Sequence, residues 1–337
     1  MKKSLIALAV AGAFAAPAAF AATANVDVYG IISVALEDND VSGKDLQVTD
    51  RVSRIGFKGS EDLGGGLKAI WQIESGLGSG TDGMGTGSIG TRNTFIGLAG
   101  DFGVFVMGRH DTPYKLGTGS LDPFADTAAD YNGGCIAGCI NAVHDYRSPS
   151  AIAYISPTWS GFHFAAAAVA TNTASSLNSG DTIDAYSLTG VYANGPLFAS
   201  LSYQSVEDAS AGLNANADIA ALTTVPAGVG SDAWKVGVGY TFGDAKVGVL
   251  YENVDLDGVT DDVSTWGLNG VYNMGPIALK AAYYSQDFLG LDSDAWAIGA
   301  DYSLSKRTTA YVVYTSNDSD VAMFDKDTWA IGMKHSF

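Results

Sequence analysis

The chain ends Asp327-Thr328-Trp329-Ala330-Ile331-Gly332-Met333-Lys334-His335-Ser336-Phe337, and this run alternates. From Trp329 to Phe337 every odd position except His335 is a large apolar side chain, and the even positions are small or polar. A strand puts successive side chains on opposite faces, so this strand has one greasy face and one wet face. The chain then stops on an aromatic with a free carboxylate. That suits a strand closing a barrel in a membrane, with the terminal ring in the interfacial aromatic girdle.

The other end agrees. Met1-Lys2-Lys3 is a short positive region, and residues 5–16 form an apolar stretch. That stretch falls short of the ~20 residues a helix needs to span a bilayer. Ala19-Phe20-Ala21 is a small-residue cleavage pattern, so residues 1–21 are expected to be a cleaved signal peptide. Residues 22–337 are expected to be a single barrel domain. After residue 21 no apolar run is long enough for a spanning helix. Gly is abundant (42) and Pro (8) and Cys (2) are scarce, as many strands and tight turns require. Hydrophobic residues make up 47% of the chain yet alternate rather than cluster, the pattern of a transmembrane barrel. A net charge of −18 excludes nucleic acid as a partner, because phosphate binding needs basic patches.

The alternation recurs. In residues 234–242 Trp234, Val236, Val238, Tyr240 and Phe242 alternate with Lys235, Gly237, Gly239 and Thr241. Trp266, Leu268 and Tyr272 share a face, as do Trp296, Ile298, Ala300 and Tyr302, and Val26, Val28, Ile32 and Val34. Each run has about the ~9–11 residues of a tilted membrane strand. Short connections at 61–65, 100–101, 158–160, 194–196, 243–244, 274–276 and 305–306 carry Gly, Asn, Pro or Ser, which supply turn geometry. Tyr192, Tyr240, Tyr272 and Tyr302 stand just before such turns and predict one girdle at the short-turn rim. Longer polar connections are expected at 38–47, 76–88, 111–147, 172–182, 208–230, 256–261, 288–292 and 317–326. The count between these marks is about 16 antiparallel strands, an even number as bacterial barrels require. Both termini then lie on one side, and the first and last strands can pair and leave no edge.

The stretch 53–69, Ser-Arg-Ile-Gly-Phe-Lys-Gly-Ser-Glu-Asp-Leu-Gly-Gly-Gly-Leu-Lys-Ala, resembles the second hairpin of trimeric general porins. Tyr29-Gly30, residues 95–98, Gly108-Arg109, residues 154–157, Gly161-Phe162 and the Phe337 end are similar to the neisserial and proteobacterial branch of that family. The resemblance runs the length of the mature chain. It implies a homotrimer in the outer membrane, among lipid and lipopolysaccharide, with one channel per subunit. It also implies a third long loop folded inward, and recognition of the Phe337 strand by the barrel-assembly machinery.

The longest connection, 111–147, is therefore the expected constriction loop. It carries Asp122, Asp126, Asp130 and Asp145, with Lys115 and His144. It also holds both cysteines, Cys135 and Cys139. In an oxidising compartment these are expected to form a disulfide, with free thiols or a metal pair as alternatives. Two thiols alone lack the ligands of a zinc site, so neither a metal nor a cofactor is expected. Family members commonly lack this pair. Arg54 and Lys58 fall opposite Ile55 and Phe57, Lys68 opposite Trp71 and Ile73, and Arg92 opposite Phe95, which predicts a basic lumen wall. Parity around Phe105 and Met107 puts Arg109 outward unless Gly108 marks a bulge; the resemblance places it inward. Arg147 fits either side.

An acidic loop opposite a basic wall sets a transverse field that orients polar solutes. Alternatively, Arg–Asp pairs simply pin the loop. The leading expectation is a water-filled outer-membrane pore for passive diffusion of ions and small hydrophilic solutes. A substrate-specific sugar or anion channel is the alternative. A sugar channel calls for a lumen ladder of aromatics, and only Tyr29 and Tyr311 fall inward. A barrel enzyme fits less well, because none of His110, His144, His163 and His335 lies in a nucleophile-elbow context. The four loop aspartates predict a weak cation preference.

Overall fold

The computed structural model describes residues 25–39, 46–78, 89–131, 144–170, 183–207, 230–320 and 325–337. The expected signal segment lies outside them. Seventeen strand segments follow in order: β1 Val26–Asn39, β2 Gln47–Asp50, β3 Arg54–Gly64, β4 Leu67–Gly76, β5 Thr94–Gly100 and β6 Gly103–Asp111. After the long loop come β7 Arg147–Ile155, β8 Phe162–Val169, β9 Ala185–Asn194, β10 Leu197–Val206, β11 Ser231–Phe242 and β12 Ala245–Leu256. The wall ends with β13 Val263–Met274, β14 Ile277–Phe288, β15 Leu291–Ser303, β16 Thr308–Ser319 and β17 Lys326–Ser336. Among the described residues no helix is long and apolar enough to cross a membrane.

β2 and β3 are two halves of one stave. Both pair with β1, through Val34↔Asp50 and Ile31↔Arg54, and residues 51–53 bulge between them with Val52 at φ 62°. The wall is thus a closed antiparallel barrel of 16 strands, as the alternation predicts. Closure leaves no strand edge in a solvent that could not satisfy it. One connection differs from expectation. Residues 288–292 contain only a two-residue turn, Leu289 (φ 55°) and Gly290 (φ 83°). Two left-handed residues in succession match the strand twist, so the polar stretch there is strand rather than loop.

The alternation sorts the side chains. Val28, Ile32, Phe57, Ile96, Leu98, Leu201, Val249, Leu268 and Ile298 are exposed on the outer face. Two aromatic levels bound this band. Tyr192, Tyr240, Tyr272 and Tyr302 stand exposed at the short-turn rim. Toward the long-loop rim Tyr and Trp alternate strand by strand from β10 to β17: Tyr203, Trp234, Tyr251, Trp266, Tyr283, Trp296, Tyr314 and Trp329. Neighbouring rings pack at 5.1 Å (Trp234–Tyr251 and Trp266–Tyr283) and 5.3 Å (Trp296–Tyr314). The hydroxyls of Tyr203, Tyr283 and Tyr314 donate to Asp232, Asp294 and Asp327 on the next strand, at 2.7–2.8 Å. An apolar ring with a wetted polar tip belongs at a membrane interface. The exposed apolar side chains of β1 to β7 continue no such alternation.

The closing seam uses the last residue. Gly30 N–H donates to the Phe337 carbonyl (3.2 Å) and Phe337 N–H to the Gly30 carbonyl (3.1 Å). The Phe337 ring lies over Gly30, where a Cβ would come within 2.5 Å of it. Gly30→Val should therefore displace the ring. Heat-modifiability on gels should show less folded barrel, while the channels that do insert keep their conductance. An unchanged folded fraction would contradict the seam's role.

Candidate functional site: the folded-in loop and the lumen wall

Residues 111–147 leave β6 and turn into the barrel. Thr112 caps a short helix, α1 (Pro113–Thr118), and a 3-10 turn (Gly119–Leu121) follows. Helix α1 lies on the inner face of β9 to β11. Tyr114 N–H donates to Ser187 Oγ at 2.9 Å, and a Cβ on Gly117 would sit 2.2 Å from Ser202 Oγ. Leu121 then lies over glycines of the wall. A Cβ at Gly237, Gly239 or Gly248 would approach it to 2.8, 2.8 or 3.2 Å. Lys246 Nζ donates to the Ser120 carbonyl at 2.5 Å. Phe124 occupies the dip at Gly299, where a Cβ would come within 2.9 Å.

The tip reaches the far wall. Asp126, at φ 61°, accepts two hydrogen bonds from the Arg54 guanidinium at 3.0 and 3.1 Å. Such a paired fork fixes both position and orientation. Lys334 Nζ donates to the Ala125 carbonyl at 3.4 Å. The chain then doubles back, and Tyr131 stacks on Tyr284 at 5.0 Å. Residues 132–143, with Cys135 and Cys139, lie outside the described residues. The described part of the loop is thus laid along the inside of the wall from the β8–β9 edge around to β3, away from the inner face of β4 to β7.

Its return arm is tied by a buried charge. Lys235 is fully buried on β11 and donates to Asp145 Oδ1 at 2.6 Å, with Glu252 at 3.9 Å. Its ammonium also lies 4.3 Å from the Tyr114 ring centroid. The Tyr114 hydroxyl donates to Glu252 at 2.6 Å. One lysine therefore holds both arms of the loop against β11 and β12. Beside it His144 contacts Ser231 Oγ at 2.9 Å, and its carbonyl accepts from Gln204 at 2.9 Å. Burial and then Lys235 pull His144 down to about 3, so it is no base for Ser231 at neutral pH.

The loop carboxylates are engaged. Asp122 accepts from the backbone N–H of Phe124 (2.8 Å) and of Tyr131 (3.0 Å), closing the turn. Burial, and then Asp130, push its carboxyl up to about 8. Asp130 accepts from Asp126 N–H at 2.7 Å. Asp145 is buried on Lys235. Lys115 lies 3.4 Å from Asp111, which also pairs with Arg147 at 3.1 Å. Of the four loop aspartates, Asp126 and Asp145 are thus paired with wall cations.

On the wall, Arg54, Lys58 and Lys68 stand in the inward rows of β3 and β4. Lys58 is exposed, with its ammonium 5.2 Å from the Tyr29 ring centroid. Arg92 lies ahead of β5 and bonds Glu74 at 2.7 Å. Parity does not place it, because Phe95 faces the lumen with Gly97 and Ala99 while Ile96 and Leu98 face out. Arg147 joins Asn93 (2.8 Å) and Asp111 on the inner side. The register does slip between Gly108 and His110. The additional residue is on β7, however, and His110 stays buried on Phe95 (5.3 Å) in the row of Val106. Arg109 therefore keeps the outward row of Phe105 and Met107, against the inward place that the resemblance implies. Glu74, Asp111, Lys235 and Glu252 complete the network without having been singled out. Lys235 was visible as a polar position in an alternating strand, but its ion-pair partner Asp145 lies 90 residues away, beyond any local pattern.

The comparisons agree with this architecture. A family model described as Gram-negative porin matches residues 7–322. The major outer membrane protein P.IB of Neisseria meningitidis serogroup B is 30% identical over 361 residues, covering 100% of both chains. Outer membrane porin protein 32 of Delftia acidovorans is 31% identical over 328 residues, covering 92% of this chain and 88% of that one. Among solved structures, an anion-selective porin from Comamonas acidovorans superposes with a TM-score of 0.74 at 21% identity, covering 94% of this chain and 100% of that chain. OmpT of Vibrio cholerae in a trimer form gives 0.68 at 19% identity, covering 94% and 100%. With its closed barrel and infolded loop, the chain belongs to the Gram-negative porin family, whose members form channels in the outer membrane.

Proposed function

We propose that the protein is a passive diffusion channel for ions and small hydrophilic solutes, narrowed by residues 111–147 and carrying out no chemistry. The observation that carries this reading is the loop's path along the inner wall, held by Arg54–Asp126 at the tip and Lys235–Asp145 at the return. A sugar-specific ladder has little support. Tyr29 and Tyr311 face inward, but Tyr29 is bound to Glu74 (2.9 Å) and Tyr311 is 5% exposed against Gly332.

The charge beside the open passage is nearly balanced. Arg54, Lys58, Lys68, Arg92, Lys115 and Arg147 stand against Asp27, Asp62, Glu74, Asp111 and Asp126, one more cation than carboxylates. We assign the constriction a weak anion preference, with Lys58 as the charge most open to a passing ion. Summed charge at a narrow point selects ions. The Comamonas neighbour is named anion-selective, but at 21% identity that likeness carries the fold and not the selectivity.

The outer wall from β1 to β7 supports a homotrimer, because its exposed apolar side chains lie outside the Tyr–Trp belt that marks a lipid interface on β10 to β17. A disulfide between Cys135 and Cys139, lipopolysaccharide around the belt and recognition of Phe337 by assembly machinery belong to the same reading.

In planar bilayers with a KCl gradient the reversal potential should carry the sign of a weak anion preference, and Lys58→Glu should move it toward cations. A cation-selective wild type would contradict the assignment. Lys235→Met leaves Asp145 and Glu252 buried without their cation, a change that costs about 3–5 kcal/mol. It should raise open-channel current noise and lower the melting temperature; a quiet, equally stable channel would show that the loop is held elsewhere. Unheated protein in mild detergent should run as a trimer, and a monomer alone would refute that state.

A further inference from the structure

Away from the described part of the loop, the inward rows of the lumen wall are mostly apolar. Registered across the barrel, one inward row reads Ser60, Ile70, Gly97, Val106, Ala153, Ala167 from β3 to β8. The next row toward the short turns reads Lys68, Ala99, Val104, Ile155, Ala165 from β4 to β8. Val106, Ala153 and Ala167 are buried together, and Ile70, Phe95 and Val104 pack over them while remaining partly exposed. At β9 the rows turn polar, to Ser187 and Thr189, and there α1 lands. The interior of a water-filled barrel is ordinarily polar. Here Ile70, Phe95 and Val104 keep partial exposure on the lumen side, over the buried Val106, Ala153 and Ala167.

Charge stands beside this face. Lys58 shares a row with Gln72 and Phe95, one and two strands away. At ~4.8 Å per strand the Lys58 and Phe95 backbones are about 10 Å apart. Arg92 and Arg147 lie on the long-loop side of the same patch, around Glu74 and Asp111.

We infer that this apolar wall favours small organic anions with an aromatic or branched apolar body over wholly hydroxylated anions of similar size. The carboxylate lies toward Lys58, and the body slides over Phe95, Ile70 and Val104. Contact with apolar wall removes apolar solute surface from water, whereas a polyol gains nothing from it. This inference rests on the channel reading and names the solute class for it. Stable occupancy is not required, because conduction needs binding weak enough to release.

The test is bi-ionic reversal potentials of the full-length protein in planar bilayers, with sodium phenylpropionate or sodium gluconate against sodium chloride. The permeability ratio of phenylpropionate to gluconate should exceed the ratio of their aqueous mobilities several-fold. Phe95→Ser combined with Ile70→Ser should bring it down toward the mobility ratio, and Val104→Ser alone should lower it in part. A wild-type ratio equal to the mobility ratio overturns the inference even if no variant folds. A raised ratio that survives these substitutions overturns it too. A protein with no conductance step in KCl overturns the channel reading itself, an outcome distinct from a conducting channel without preference.

Discussion

A backbone N–H or C=O inside a bilayer has no water to turn to, and an unpaired one costs several kcal/mol. Everything else in this molecule follows from meeting that constraint with strands. The ladder must close, so β1 must meet β17, and it does so through nine registered pairs from Ile31↔Ser336 to Asn39↔Thr328. Closure in turn separates two solvents, lipid outside and water inside. The period of 2 then sorts every residue between them. That is why Trp329, Ile331 and Met333 face out while Lys334 reaches inward to the loop tip.

The wall was legible in the sequence because its rule is local. Alternation in residues 234–242 or 327–337 needs no knowledge of partners, and the strand count and the short-turn tyrosine girdle follow from it. Where the rule bends locally the reading failed. Phe95 faces the lumen although it is aromatic, so Arg92 could not be placed by parity from it. The polar stretch at 288–292 reads as a loop, yet Leu289 and Gly290 take left-handed conformations and make a tight turn.

The loop was legible only as a long acidic connection. Its path depends on contacts between residues far apart in sequence. Leu121 needs glycines at 237, 239 and 248; Phe124 needs one at 299. A strand glycine normally weakens its strand and often marks a close approach of other groups. These four are inward-facing and mark the loop's track. The partners of the loop charges were hidden for the same reason. Four aspartates counted as loop charge become a turn closed by Asp122 and Asp130, a pin to Arg54 and a buried pair with Lys235. What the passage meets is the other side of the barrel, where basic residues border an apolar wall.

The most direct measurement of this account is the single-channel conductance of Gly237→Leu in KCl. The added side chain has no room beneath Leu121 and Thr118, which lie 2.8 and 2.9 Å from where its Cβ would be. The loop must lift from the wall into the passage, so conductance should fall clearly below that of the wild type. A stable channel of undiminished conductance would mean that the loop does not rest on this wall, and the account would fail.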